Sequence, residues 1–289
     1  MMNQLSGVKK KDEIIFIQKI LKEITNQDLH IEYIEKTYLK ILLKLKSKNK
    51  IMIAGSQGSG KSSLSKLIKL YLEKFQNKSV IIISIDDFYL SKKNRIQLSK
   101  NKHPLFLTRG VPGTHDWKAL NQKIKQIFNK EFPVYLPIFD KVSDTRKSTY
   151  KKVLKADVII FEGWCAGAQP VAQNYLQKNF NNLEKCEDKN FIWRESYNEY
   201  LNQYQKIFSQ FDYFIYFQFH QWDHVLNWKY KQELELRDKK KDLALKKYLK
   251  DFIQYYEKIS KWMHLKVPKY CNILIKLDAH QKIKSINLK

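Results

Sequence analysis

The chain has 289 residues, which is long enough to bury a sizeable core and suits one large α/β domain with additions. Its formal net charge is +25, yet nearly all of its 54 basic residues are lysines scattered along the whole chain. Because no concentrated basic stripe with interleaved aromatic residues occurs, we do not expect nucleic acid as the main partner.

The sequence contains no run of eighteen apolar residues, and the segment from Met1 to Lys11 has no apolar h-region. These features predict neither a membrane span nor a signal peptide. Three cysteines, Cys165, Cys186 and Cys271, lack C-x-x-C spacing, which argues for a reducing compartment and against a structural zinc. We expect a cytoplasmic protein without a membrane partner, or one of an organellar matrix if the source is a eukaryote.

Apolar residues with helical spacing occupy residues 12–47, in two pieces that join near Asn26-Gln27-Asp28. We interpret residues 1–48 as an N-terminal helical extension that packs on the core as scaffolding. Residues 49–289 then form the main domain.

A complete phosphate-loop motif, G-x-x-x-x-G-K-[ST], begins after the apolar run Ile51 to Ala54 and is followed by a predicted helix over residues 63–75. Backbone N–H groups of such a loop and the positive end of the helix bind phosphates. Lys61 reaches the β- and γ-phosphates, and Ser62 is the expected Mg²⁺ ligand. A glycine-rich turn that binds nothing is the alternative, and it does not explain Lys61 and Ser62 in register. The candidate nucleotide-binding residues are Gly55, Ser56, Gln57, Gly58, Ser59, Gly60, Lys61, Ser62 and Ser63, and the motif alone allows ATP or GTP.

Two aspartates, Asp86 and Asp87, follow the apolar run Ser79 to Ile85, which predicts a buried parallel strand. Ligands of α/β sheets lie at the carboxyl ends of such strands. A carboxylate there accepts a proton from a substrate hydroxyl, or orients it, during phosphoryl transfer. We interpret Asp86 as this base and Asp87 as its helper, with a helix N-cap as the alternative for Asp87.

A third predicted strand, Ala156 to Phe161, ends on Glu162. An acidic residue in this position holds the second side of the magnesium ion in a phosphate-loop protein. We therefore expect Glu162 and Ser62 at the metal, with Asp86 as a further candidate ligand. The alternative for Glu162 is a strand-end side chain that bonds nearby backbone.

Residues 91–116 show little periodicity and predict a long functional loop that closes on Asp116. Residues 117–128 then predict a helix, for which Asp116 is either the N-cap or a substrate contact, with the two alternatives in balance. Proline among the apolar residues of 134–150 predicts an edge strand or a β-excursion. In this segment, Arg146 is the candidate for binding a carboxylate or phosphate through two hydrogen bonds from its planar guanidinium group.

The C-terminal part predicts helices around further core strands. Residues 172–210 have a polar helical pattern with a mobile-looking patch at 181–190, and the aromatic run 211–219 predicts a core strand. Residues 222–249 predict a charged helix or helix pair. It is either a lid that brings cations such as Lys229 and Arg237 to the phosphates or a solvated face. A last helix is predicted over 255–266 and a last strand over 272–277, with a β-like tail.

These elements predict an α/β fold of the P-loop NTPase type, with three α/β/α layers around a mainly parallel sheet. The N-terminal helical extension and a helical lid region at about 171–250 are added to it.

Several longer blocks carry a resemblance to a known family. They are GSQGSGKSS from Gly55, SIDDFYL from Ser84, RGVPGTHD from Arg109, PIFDKVSDTR from Pro137 and FEGWCAGAQP from Phe161. In these blocks the chain resembles the D-glycerate 3-kinases of plants, fungi and bacteria and the related yeast ATP-binding kinase-like protein. They lie inside the P-loop group that also holds uridine kinase, phosphoribulokinase and bacterial pantothenate kinase.

The resemblance implies ATP-dependent, Mg²⁺-assisted phosphorylation of a small hydroxy acid, with D-glycerate going to 3-phosphoglycerate. Asp86 matches the general base of the group, Glu162 its magnesium-side glutamate, and Asp116 a contact to acceptor hydroxyls. By charge, the candidates for the glycerate carboxylate are Arg109, Lys141 and Arg146, and His115 completes the expected substrate contacts. In the block that begins at Trp228, Lys229 stands where the family has arginine, which loses bidentate geometry. A kinase for another small alcohol and a non-catalytic nucleotide-binding regulator remain the alternatives.

Overall fold

A computed structural model of the protein describes the backbone of residues 2–238 and 240–289, and the side chains of all of these except 2–9 and 236. Its strands are β1 (Lys50–Gly55), β2 (Val80–Ser84), β3 (Val134–Asp140), β4 (Thr145–Val153), β5 (Val158–Gly163), β6 (Tyr213–Gln218), β7 (Ile273–Leu277) and β8 (Ile283–Leu288). Six of these form the main sheet, in the order β2-β5-β1-β6-β7-β8. Its pairs are parallel except for β7 with β8, so the predicted mainly parallel sheet is confirmed.

Helices cover both faces of the main sheet. They are α1 (Met2–Thr25), α2 (Ile31–Ile34), α3 (Lys40–Leu45), α4 (Lys61–Gln76), α5 (Lys92–Asn101), α6 (Trp117–Phe128), α7 (Gln173–Leu176), α8 (Asn182–Glu187), α9 (Ile192–Phe208), α10 (Trp222–Leu236), α11 (Leu243–Phe252) and α12 (Gln254–Lys266). Along β1, Met52 and Ala54 join an apolar cluster with α6, α9 and α12, while Ile51 and Ile53 join one with α1 to α4. The predicted three-layer α/β/α architecture is confirmed. Nowhere in residues 2–238 and 240–289 does a helix combine the length and the apolar character needed to cross a bilayer.

The N-terminal helices pack against α4 and the sheet. Between α2 and α3 the chain forms a π-helical turn, Glu35–Leu39. Tyr33 on α2 exchanges two hydrogen bonds with Ile283 of β8: the Ile283 N–H donates to the Tyr33 hydroxyl at 2.7 Å, and that hydroxyl lies 3.3 Å from the Ile283 carbonyl. The helices are therefore fixed to the far edge of the sheet. That residues 1–48 are a separate unit stays a prediction.

Strands β3 and β4 form an antiparallel hairpin outside the main sheet. The register shifts between Pro137 and Phe139, where proline has no N–H to give to the ladder. Most of β4 is exposed to solvent. The predicted β-excursion is confirmed, and we call these two strands with their turn, residues 134–153, the hairpin.

Two local predictions are wrong. Residues 91–116 are not irregular throughout, since they contain α5 and a 3-10 turn, Pro104–Leu107. Helix α5 has no apolar stripe, and it is held instead by Arg95, which is 1% exposed and donates to the carbonyls of Leu90 and Leu107. Residues 181–190 are not a loose polar patch, because they contain α8 and two buried acids.

Those two acids belong to a buried ionic cluster that joins α8, α9 and α12. Arg194 donates through Nε to Asp188 at 2.7 Å, and its guanidinium lies 3.8 Å from Glu184. Lys258 of α12 contacts the same Glu184 at 3.2 Å. All four side chains are 2% exposed or less. A charged side chain that is buried this deeply is stable only when its oppositely charged partner is present.

We expect Arg194→Met to lower the free energy of unfolding by about 3–5 kcal/mol, because it leaves Asp188 as an uncompensated buried charge. Urea denaturation measures this loss. Arg237→Met is the matched control: Arg237 is 54% exposed and pairs with Glu233, so its removal should cost about 1 kcal/mol or less. Equal losses in the two variants would contradict the assignment of the cluster as a stabilising unit.

Candidate functional site

The phosphate loop connects β1 to α4, as predicted. Gly60 is the N-cap of α4 with a φ of 91°, a conformation that favours glycine, although a Cβ atom there would meet no atom within 4 Å. Gly58 has a φ of 72°, and a Cβ atom there would lie only 2.7 Å from Cβ of Trp228 on α10. The loop is therefore pressed against α10 on one side and open at the start of α4.

The side chains of the loop suit a polyanion. Lys61 folds back over the loop and donates to the Ser56 carbonyl at 2.8 Å. Within the described residues, the buried Ser56 Oγ, Ser59 Oγ and Gln57 Oε1 have no hydrogen-bond partner. Burial lowers the pKa of Lys61, while the negative charges of Glu162 and Asp86 oppose that shift. A phosphate chain would supply both acceptors for the hydroxyls and a counter-charge for Lys61.

Ser62 and Glu162 meet at the ends of neighbouring strands. Because β1 and β5 are parallel and in register, Glu162 lies beside Ile53, and its carboxylate oxygens are 3.2 and 3.3 Å from Ser62 Oγ. The part of the chain that the structure describes has no group of three His, Cys, Asp or Glu side chains that could hold a metal. One carboxylate beside one hydroxyl fits Mg²⁺, which keeps several waters and takes its other ligands from phosphates.

Asp86 lies after β2 in a 3-10 turn, Ile85–Phe88, and carries two charge-assisted bonds. The Tyr89 hydroxyl donates to Oδ1 at 2.8 Å, and Lys141 of the hairpin donates to Oδ2 at 2.6 Å. Burial by itself would raise the pKa of Asp86, but Lys141 and Tyr89 hold it well below its ordinary value. Asp86 is thus a carboxylate at neutral pH.

Asp87 faces the hairpin. The Phe139 N–H donates to Asp87 Oδ1 at 3.3 Å, and burial raises the pKa of Asp87. The alternative of a helix N-cap for Asp87 is wrong, because Ser84 caps the 3-10 turn. Its role as a helper of Asp86 stays a prediction.

The two arginines predicted for substrate binding are engaged with the protein. Arg109 pairs with Asp144 and donates to the Lys141 carbonyl at 3.1 Å. Arg146 donates to the Tyr89 carbonyl at 2.9 Å and lies 3.3 Å from a carboxylate oxygen of Asp116. Both arginines therefore hold the hairpin next to Asp86.

Asp116 is the N-cap of α6, as one of its two interpretations predicted. Its Oδ1 accepts from the Ala119 N–H at 3.1 Å, while its other oxygen faces Arg146. A contact with substrate stays a prediction for Asp116.

His115 is buried next to Asp86, with 1% of its surface exposed. Its ring stacks on Tyr89 at 4.7 Å, and its Nδ1 lies 2.9 Å from the Tyr204 hydroxyl, which accepts from the Gly113 N–H. We assign the Tyr204 proton to Nδ1, because a phenol has one proton to donate and Nδ1 can accept it. Nε2 then carries the imidazole proton, and no group of the described residues accepts it.

Burial lowers the pKa of His115 to about 4, against an ordinary value near 6.5. In the unfolded chain, His115 binds a proton below about pH 6.5. In the folded protein, it binds a proton only at about pH 4 and below. Folding stability should therefore fall as the pH drops through that window, with a slope of up to about 1.4 kcal/mol per pH unit from this group. Urea unfolding at several pH values should show a shallower fall in His115→Gln.

His280→Gln is the control for this experiment, since it makes the same substitution at an exposed histidine. An unchanged slope in His115→Gln would show that His115 titrates normally in the folded protein.

The predicted lid cations are paired on α10. Lys229 donates to Glu233 at 2.6 Å, and Arg237 lies 3.4 Å from the same carboxylate. Lys229 is 15% exposed, and its positive charge contributes to lowering the pKa of Lys61. Lys229 thus lies near the phosphate loop, while lid movement stays a prediction.

Several side chains of the site were missed by the sequence analysis. Tyr89, Tyr204 and Asp144 give the hydrogen bonds that fix Asp86, His115 and Arg109, and they come from three distant segments. Of these, Tyr89 and Asp144 had a signal, since they lie within the blocks SIDDFYL and PIFDKVSDTR.

The chain is similar in sequence to several known kinases. Residues 50–181 match the model of the Phosphoribulokinase / Uridine kinase family. The uncharacterized kinase mug58 of Schizosaccharomyces pombe is 29% identical over 237 residues, which cover 74% of this chain and 83% of that protein. The probable ATP-dependent kinase TDA10 of Saccharomyces cerevisiae is 37% identical over 170 residues, or 53% and 58% of the two chains. The chloroplastic D-glycerate 3-kinase of Arabidopsis thaliana is 26% identical over 219 residues, or 71% and 45%.

Solved structures agree with the fold. The structure of the YGR205w protein has a TM-score of 0.68 and 25% identity, and the match covers 90% of this chain and 96% of that one. A D-glycerate 3-kinase from Cryptococcus neoformans has the same TM-score with 24% identity, covering 87% and 96%. The matched segment 50–181 holds the phosphate loop, Asp86 and Glu162, and in this segment the chain is similar to the phosphoribulokinase / uridine kinase family.

Proposed function

We propose that the protein transfers the γ-phosphoryl group of ATP to a hydroxyl of D-glycerate, giving 3-phosphoglycerate and ADP. One observation carries the proposal: Lys61, the Ser62–Glu162 pair and Asp86 lie at the ends of three adjacent parallel strands, β1, β5 and β2. The charges of Glu162 and Asp86 both act on Lys61. A phosphoryl donor and an acceptor hydroxyl would meet between these groups.

Phosphoryl transfer needs positioning and charge stabilisation more than covalent chemistry. Asp86 would accept the proton of the acceptor hydroxyl as the new O–P bond forms and the bond from the γ-phosphorus to ADP breaks. Lys61 and the loop N–H groups would stabilise the charge that develops on the phosphates. Ser62, Glu162 and Asp86 would hold Mg²⁺, which neutralises charge on the β- and γ-phosphates when bound.

The hairpin supplies the chemistry for a carboxylate on the acceptor. Lys141 is a cation in contact with Asp86, and Arg109 is a second cation, bonded to the Lys141 carbonyl. Nε2–H of His115 is a donor that has no acceptor among the described residues. If Lys141 turned to the glycerate carboxylate, Asp86 would lose its strongest partner and become a better base. The resemblance to the Arabidopsis protein named D-glycerate 3-kinase supports the same acceptor.

A second candidate is phosphorylation of another small alcohol. Arg109 and Arg146 already bond to Asp144, to Asp116 and to backbone carbonyls. This favours the second candidate, because part of the hydrogen-bonding capacity of each guanidinium group is used before a substrate carboxylate binds. The two yeast relatives are named only as kinases, which leaves the acceptor open.

An acceptor panel tests the proposal. ADP formation is measured with D-glycerate, uridine, pantothenate and ribulose 5-phosphate, and the phosphorylated product is identified by mass. We expect turnover with D-glycerate and a product of 3-phosphoglycerate mass. Turnover with another acceptor alone would reassign the substrate, and ATP binding without any product would favour a regulatory protein.

We expect Glu162→Gln to raise the Mg²⁺ concentration for half-maximal rate by about 10- to 100-fold, the range for weakening a metal site by one side chain. Calorimetric titration of ATP at several Mg²⁺ concentrations gives a second readout that does not need turnover. Glu199→Gln, at a glutamate that is 72% exposed, should leave both values unchanged. A lower rate at an unchanged Mg²⁺ requirement would remove Glu162 from the metal.

A further inference from the structure

The chain around His115 is paired with the chain around Tyr89 in an isolated antiparallel bridge. Backbone hydrogen bonds of 2.8 and 2.7 Å, one on each side of the bridge, join residues 88–90 to residues 114–116. Side chains that are directly opposite in such a pair lie on the same face, which is why the two rings stack. Because the Tyr89 hydroxyl donates to Asp86, the His115 ring lies next to the proposed base.

Tyr204 connects this segment to α9. Its side chain is fully buried, and its hydroxyl oxygen accepts from the Gly113 N–H at 3.0 Å. The same hydroxyl lies 2.9 Å from Nδ1 of His115. A phenol has one proton, and Nδ1 is the acceptor to which it is directed. A hydroxyl from α9 and a backbone N–H from the loop thus fix the orientation of the imidazole ring.

The hydrogen bond to Nδ1 also decides where His115 carries its proton. The ring is neutral at neutral pH, because burial lowers the pKa of His115 to about 4. A neutral imidazole has one N–H group, and with Nδ1 as an acceptor this group is Nε2–H. Nε2 is buried, and among the side chains and backbone that the structure describes it has no hydrogen-bond partner. A buried donor without an acceptor lowers stability, and a ligand that supplies the acceptor explains why a protein keeps one.

The chemistry beside Asp86 indicates which ligand this is. Tyr89 and Lys141 already donate to the two oxygens of Asp86, so Nε2–H of His115 does not serve the base. A small acceptor next to Asp86 brings hydroxyl or carboxylate oxygens, and each of these accepts a hydrogen bond from an N–H group. In the other tautomer, such an oxygen would face the lone pair of Nε2. Acceptor binding should therefore depend on which nitrogen is protonated.

We propose that Tyr204 is a positioning residue of the phosphoryl-transfer centre, whose hydroxyl holds His115 in the tautomer that donates through Nε2–H to an oxygen of the acceptor. The hydrogen bonds then run from the Gly113 N–H through Tyr204 and His115 to the acceptor. Tyr204 itself does not touch the substrate. This role rests on the proposed function, which places an acceptor oxygen beside Asp86.

Nuclear magnetic resonance of the full chain with ¹⁵N-labelled histidine reports the protonated nitrogen directly. The His115 signal is identified by its loss in His115→Gln, and in the wild type we expect it to show a proton on Nε2. Tyr204→Phe should move part or all of this proton to Nδ1, because Nδ1 then has no donor. An unchanged spectrum in Tyr204→Phe, or a proton on Nδ1 in the wild type, would overturn the proposal.

Tyr197→Phe is the matched control. Tyr197 is a buried tyrosine of the same helix, and its hydroxyl has no hydrogen-bond partner among the described residues. This variant removes a buried hydroxyl without removing a hydrogen bond, so it should leave the His115 signal and the kinetic constants unchanged. A changed His115 signal in Tyr197→Phe would mean that the spectrum reports the packing of α9 and not the bond to Nδ1.

Steady-state kinetics separate positioning from a purely structural role. Tyr204→Phe should raise the KM for the acceptor about 2- to 12-fold, the range for one lost hydrogen bond, while the KM for ATP stays unchanged. In His115→Gln, the amide N–H takes the place of Nε2–H and no longer depends on Tyr204. Adding Tyr204→Phe to His115→Gln should therefore have no further effect on the acceptor KM. Additive effects, or equal losses for acceptor and ATP, would contradict a role through His115.

A binding experiment tests the contact without turnover. Addition of D-glycerate with Mg-ADP should shift the Nε2 signal of wild-type His115. No shift with D-glycerate, or with any acceptor that the panel shows to be turned over, would overturn the contact. A shift without turnover would keep the role of Tyr204 and contradict the kinase proposal, so the two failures are distinguishable.

Two variants of His115 keep the test decisive if Tyr204→Phe fails to fold. Glutamine places its amide N–H close to the position of Nε2, whereas asparagine places it close to that of Nδ1. The acceptor KM should then be lower in His115→Gln than in His115→Asn. The reverse order would show that the acceptor needs a donor at Nδ1, which would overturn the proposal.

Discussion

Asp86→Asn should lower phosphoryl transfer by about two to four decades while ATP still binds, because the amide cannot take the proton of the acceptor hydroxyl. The amide also loses the charge that pairs with Lys141 at 2.6 Å, so the hairpin should bind less firmly. Initial rates with saturating ATP and acceptor measure the first effect, and calorimetry with ATP measures binding.

Asp87→Asn is the matched control, at the next residue and with the same chemical change. Asp87 accepts from a backbone N–H of the hairpin, and burial raises its pKa, so its loss should reduce the rate less than the loss of Asp86. A larger loss in Asp87→Asn would exchange the roles of the two residues. Equal ATP affinity in all three proteins is required for either interpretation.

Lys61→Met should lower turnover by about 10²–10³-fold, the range for removing one preorganised donor to a developing charge. ATP should also bind more weakly, since the β- and γ-phosphates lose their cation. Steady-state kinetics and calorimetry measure the two losses. Lys66→Met, at an exposed lysine of the same helix, should match the wild type in both.

Lys61→Met should lower turnover and ATP affinity, but we do not expect it to lower the stability of the fold. Burial lowers the pKa of Lys61, which means that the ligand-free fold disfavours its charged form. Replacing it with a neutral side chain of similar length should therefore leave the thermal unfolding midpoint unchanged or raise it. A clear decrease would mean that Lys61 holds the loop together instead of serving its ligand.

Much of the fold could be predicted because periodicity and motif context coincide. The helix over 117–128 was predicted with its observed bounds, since an N-cap aspartate precedes a strongly amphipathic segment. Helix α5 could not be found in this way. Its stability depends on Arg95, whose acceptors are the carbonyls of residues 90 and 107 and a carboxylate at 144, and no local pattern encodes those contacts.

The candidate site likewise has features that local sequence patterns predict and features that depend on contacts between distant segments. Strand ends could be assigned from sequence, and parallel pairing then brings Ser62 and Glu162 into contact, because neighbouring parallel strands end at one edge. The environments of Asp86 and His115 could not be predicted. They depend on Tyr89, Lys141 and Tyr204, which reach the site from a turn, the hairpin and α9.

The hairpin has one further consequence. Its two strands share no ladder with the six-stranded sheet, and its anchors near Asp86 include side-chain bonds from Arg109, Lys141 and Arg146. In the proposed reaction, the half of the centre that binds the nucleotide is built on strands of the main sheet, while the half that meets the acceptor is an appended ribbon. On this proposal, substitutions in the hairpin would change the acceptor side of the centre while the strand ends at the phosphate loop keep their positions.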